Sequence, residues 1–178
     1  MNSQDSIKNI LLKYPVCEYA FGDTNTIPFS DKVIVICRTD CRRYGHCWAC
    51  PPHAGSIYDN MKIVQSYRHY LLFSTIAEVA DNMNFDLSME AKRPHEAVTR
   101  SLRRELAESF NGRFYVLSAG CMICDTCACP EEPCRHPEDR LMTTESHGIV
   151  LMQLVEESGL TFYYGGTYIA YFSLVLFD

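Results

Sequence analysis

The chain has 178 residues, 47% of them hydrophobic and 12% aromatic, with 16 basic and 22 acidic side chains and a formal net charge of -6. That size suits a single domain spanning residues 1–178, able to bury roughly 70% of its unfolded surface and so to fold by packing without metal. The acidic balance argues against nucleic acid; Met1 to Tyr14 lacks an export signal; and apolar runs such as Ile169 to Phe177 fall short of the roughly 18 residues of a membrane helix, so a soluble, cytoplasmic protein is expected.

Along the chain, Ile7, Ile10, Leu11 and Tyr14 recur at helical spacing until Pro15 stops them. Cys17, isolated, reads as a buried apolar thiol. Lys32 to Cys37 (KVIVIC) is continuous and β-branched, the pattern of a strand buried on both faces. Ser56 to Asp59 forms a capping-box pattern that opens a helix running to about Ser66. A second strand follows, His69 to Ile76. Pro94 fits the first turn of a helix whose apolar positions Val98, Leu102, Leu106 and Phe110 recur every four residues, with Gly112 beyond its end. Arg100, Arg103 and Arg104 lie off that stripe and read as a solvated face. A third strand, Arg113 to Ala119, leads through Gly120 into cysteines. A helix over about Glu145 to Glu157, closed by Gly159, precedes the last strand, Tyr168 to Phe177. The expected fold is therefore α/β or α+β: one layered domain with a central sheet of about four strands and helices between them. Cysteine-rich loops, about 37–53 and 120–137, begin where strands one and three end. Parallel strands would bring both loops to one edge of the sheet, in a shared site.

Ten cysteines in a reducing cytosol point to metal rather than disulfides. Cys121, Cys124 and Cys127 stand in C-x2-C-x2-C spacing, which lets a short loop turn three soft thiolates toward one centre. Structural zinc sites more often pair two distant C-x2-C units, so the triple favours an iron–sulfur cluster, [4Fe–4S], over zinc. Cys134 has the slack to return as fourth ligand. Cys129 follows Cys127 too closely and is left as a spare thiol, while His136 sits in what reads as loop structure. Cys37, Cys41, Cys47 and Cys50 form a second four-sulfur set, in a spacing that matches no common zinc module. Pro51-Pro52 predicts an extended exit from that loop. Tyr44 and Trp48 read as core more than as a shield, His53 as a partner of the loop backbone more than as a ligand, and Arg42 and Arg43 as charge compensation. Nucleotide loops, nucleophile elbows and H-E-x-x-H motifs are absent.

The run Cys37, Cys41, Tyr44-Gly45, Trp48 and Cys50-Pro51-Pro52, followed by Ala119-Gly120-Cys121, Cys124, Cys127-Ala128 and Cys134-Arg135-His136-Pro137, resembles the uncharacterised family known as domain of unknown function 2284, described as predicted metal-binding proteins. The resemblance covers about residues 30–178. It implies that Cys37, Cys41, Cys50, Cys121, Cys124, Cys127 and Cys134 are the family's cysteines, with Cys47 and Cys129 additional in this chain. The fourth ligand of the first site stays open among Cys47, His53, a residue elsewhere and an open coordination position.

The functional expectation is one or two iron–sulfur clusters in an electron-transfer or redox-accessory protein that meets a redox partner. The alternative is zinc in a structural or interaction module, and a third reading places chemistry at an open metal position.

Overall fold

The computed structural model describes residues 2–178. Helix α1 (Ser3–Leu11) starts at Asn2, whose side chain accepts from the Asp5 amide at 2.8 Å, and it buries Ile7, Ile10 and Leu11. The fold is mixed α/β around one five-stranded sheet ordered β1-β2-β5-β3-β4. Its centre is β2 (His69–Glu78) against β5 (Tyr168–Phe177), antiparallel along their whole lengths. On one side β1 (Tyr19–Asp23) pairs antiparallel with β2. On the other, β3 (Phe114–Ser118) runs antiparallel to β5 and parallel to the short β4 (Met142–Thr143).

Side chains alternate across a strand, so the two central strands feed two cores. Leu71, Phe73, Val175 and Phe177 pack with Leu102 and Leu106 of α5 (Arg93–Ser109) and with α1. Tyr70, Leu72, Leu174 and Leu176 pack with Val64 of α3 (Ile57–Gln65) and with Leu154 and Val155 of α6 (Leu151–Glu157). Helices thus cover both faces of the sheet. Among the described residues no helix is long and apolar enough to cross a membrane.

The run Lys32 to Cys37 is not a strand. It lies in α2 (Lys32–Asp40), which buries no residue and leaves Val35 48% and Ile36 61% exposed. A short, unbroken apolar run carries no period that separates strand from helix. Here it pairs with no strand and satisfies its backbone internally. With that strand lost, two strands without strong alternation, β1 and β4, bring the count to five where about four were expected, and α4 (Phe85–Ala91) precedes α5. The expected helix over Glu145 to Glu157 is broken: a 3-10 turn, Glu145–His147, ends at left-handed Gly148 (φ 72°) before α6 begins. Ser56 does cap α3 by position, though its side chain makes no capping hydrogen bond.

Cys17 is exposed, with its sulfur 3.6 Å from the Tyr164 hydroxyl. The arginines of α5 are engaged. Arg103 and Arg104 reach Asp139 at 3.4 and 2.9 Å, tying the second cysteine loop to the helix, and Arg100 stands 3.5 Å from the buried Glu96 carboxylate.

Candidate metal centre

The two cysteine loops meet beside the end of β3. The first follows α2, not a strand, so parallel strand ends do not bring the loops together. The meeting is made by long-range polar contacts. The Arg43 guanidinium donates to Cys47 Sγ at 3.1 Å and to the Cys121 carbonyl at 2.8 Å, joining the loops directly. Trp48 Nε1 donates to the Glu132 carbonyl at 3.0 Å. Arg135 holds the Thr126 carbonyl at 3.1 Å, and Arg93 reaches the Met122 carbonyl at 3.4 Å and Asp125 at 3.1 Å. Lys92 Nζ donates to the Ala119 carbonyl at 3.0 Å. Beneath them, Ser118 donates to the Glu96 carboxylate and shares a 2.8 Å hydrogen bond with Ser173, which also meets His95 Nε2 at 2.8 Å. This buried network fixes the end of β3 where the second loop departs.

All ten cysteines are free thiols. Eight of them line two adjoining cavities. Cys37, Cys41 and Cys50 face the larger, of about 330 Å³. Cys47, Cys124, Cys127 and Cys134 face the smaller, of about 20 Å³. Cys121 lines both. The four sulfurs of the first motif are therefore divided, with Cys47 turned toward the second. Cys129 lines neither cavity; its sulfur is 3.7 Å from the Gly45 carbonyl. Among the described residues no three His, Cys, Asp or Glu side chains already stand as a finished ligand shell.

Electrostatics separates the thiols. Cys47 is pushed down, first by its hydrogen bond with Cys50 and then by the Arg43 charge, and Cys50 is pushed up by the same hydrogen bond. Burial raises Cys37 to about 12 and Cys121 to about 11. A cysteine binds a metal as its thiolate, not as the thiol. The donor set fits such an ion: sulfurs gathered around two cavities, no disulfides, and the Arg43 guanidinium on the first loop to offset thiolate charge.

Of the other residues singled out, Arg43 compensates charge, whereas Arg42 stands 3.6 Å from Asp86 and lies over the Phe85 ring. Trp48 and Tyr44 belong to cavity walls and not to either core. His53 is exposed, edge-on to Trp48 at 5.2 Å, and lines neither cavity; His136 lines the smaller. After cis Pro51-Pro52 the chain turns back, Ala54 donating to the Cys50 carbonyl at 3.0 Å, so the exit is not extended. The structure adds Lys92 and Glu145 to the larger cavity. No local pattern marks either, since each is brought there by the packing of a separate element.

A model of a family described as predicted metal-binding protein, domain of unknown function 2284, matches residues 22–177 of the chain. No curated protein and no solved structure matches it.

Proposed function

Since the chain belongs to this family of predicted metal-binding proteins, we propose that it carries iron–sulfur clusters and passes electrons to a partner protein or serves a redox enzyme as an accessory. The observation that carries this reading is the division of eight thiols between two cavities sharing Cys121. Cys121, Cys124, Cys127 and Cys134 would hold the cluster of the smaller cavity, with Cys47 beside them. Cys37, Cys41 and Cys50 would hold a second centre, whose fourth position Cys47 reaches only by turning away from the smaller cavity. A bound cluster supplies one-electron chemistry. The protein's own contribution would be to hold two centres wall to wall and to offset thiolate charge with Arg43.

One observation favours zinc in a structural or interaction role. The smaller cavity has room for about one water-sized occupant, which suits a single ion, whereas a cluster requires the 121–134 loop to open outward. Iron, inorganic sulfide and zinc quantified on protein purified without oxygen decide the matter. Iron and sulfide together, with visible absorption that bleaches on reduction, support clusters; zinc without sulfide, in colourless protein prepared without oxygen, sinks them.

A further inference from the structure

Lys92 lines the larger cavity from the junction of α4 and α5. Its ammonium has three donors and spends one on the Ala119 carbonyl; among the described residues it takes part in no ion pair. Gly120 leaves it room: at φ +139° that residue has no side chain, and a Cβ there would stand 3.4 Å from Nζ. The walls around this cation are largely apolar and include Ile36, Phe85 and Met89 beside the cysteines of the first motif. Two carboxylates share the lining. Asp40 is exposed, and Glu145 has its carboxyl pushed up by burial and drawn back by the Lys92 charge.

We propose that this cavity binds a small organic carboxylate, its charged end paired with Lys92 and its apolar body against Ile36, Phe85 and Met89. At about 330 Å³ the cavity lies at the lower end of the roughly 300–1,000 Å³ common for small-molecule sites. Apolar walls with one or a few placed polar groups are the common form of small-molecule sites. The inference shares this cavity with the second centre proposed above, since Cys37, Cys41, Cys50 and Cys121 line it too, but the cation and the apolar side chains it uses are not thiols.

The test is calorimetric titration of the full chain with benzoate and with benzamide, its uncharged counterpart, beside metal analysis of the same sample. Benzoate is expected to bind about tenfold or more tightly than benzamide, the scale of one charge-assisted hydrogen bond. Lys92→Met should abolish that preference, and Met89→Trp, which fills the cavity without touching Lys92, should abolish binding of both. If Lys92→Met fails to fold, the wild-type preference and Met89→Trp decide. No benzoate binding, equal affinity for the two probes, or undiminished benzoate binding by a folded variant overturns the inference. Protein that holds metal and ignores benzoate overturns it alone, leaving the proposed function standing.

Discussion

The Cys50 amide donates to the Cys47 carbonyl at 3.0 Å, yet the two residues line different cavities, Cys50 the larger and Cys47 the smaller. That turn makes this pair the seam between the two halves of the thiol cluster, with Cys121 common to both.

Single thiol substitutions should therefore sort into classes. If each cavity holds a centre as proposed, Cys41→Ser is expected to remove the larger cavity's metal and Cys124→Ser the smaller's, each leaving about half of the wild-type content. Cys121→Ser should lower both. Metal per chain, measured on folded variants, checks this, and a Cys121→Ser protein indistinguishable from Cys124→Ser would confine Cys121 to the smaller site.

Arg43 is the bridge between loops. Arg43→Met removes its two hydrogen bonds, to Cys47 Sγ and the Cys121 carbonyl, and should destabilise the protein by ~1–3 kcal/mol. It also removes the charge that helps hold Cys47 down, after the Cys50 hydrogen bond. In metal-free protein the pH midpoint for alkylation of Cys47 should accordingly move upward. A midpoint unchanged from wild type would deny Arg43 that role.

His147 is buried, its Nδ1 3.0 Å from the Thr143 carbonyl, and burial lowers it to about 4. A histidine depressed in the folded state contributes stability above its unfolded value of about 6.5 and loses it as pH falls toward the folded value. Between pH 6.5 and 4 the loss approaches ~1.4 kcal/mol per pH unit. His95, lowered to about 3 by burial, adds to it, while Glu96, raised to about 7 by burial, opposes it. The comparison that isolates the effect is urea unfolding of wild type and His147→Gln across this window. The variant should show the shallower loss of stability on acidification, and parallel curves would refute the assignment.

Helix α2 makes an exposed, apolar surface. Val35→Lys, at a position 48% exposed in a helix, should change stability by less than ~0.5 kcal/mol, whereas Leu72→Ala in the core should cost ~2–5 kcal/mol. Thermal or urea denaturation distinguishes the two, and a large loss in Val35→Lys would show that this segment is buried.

Local sequence determined much of this protein. The spacings of Ile7, Ile10 and Leu11, and of Val98, Leu102 and Leu106, mark α1 and α5, because an amphipathic helix must turn one stripe to the core. Strands β2, β3 and β5 are legible as β-branched and aromatic runs, and the cysteine spacings announce a thiol site in a chain that belongs to a family described as predicted metal-binding proteins. Tertiary structure decided the rest. KVIVIC has one composition for two conformations, and helix won where no strand paired with it. Spacing limits which sulfurs are neighbours along a loop but not the direction each faces. That direction is set by contacts such as Arg43 with Cys121, between residues far apart in the chain. For the same reason Lys92 and Glu145 carry no local mark of the cavity they share.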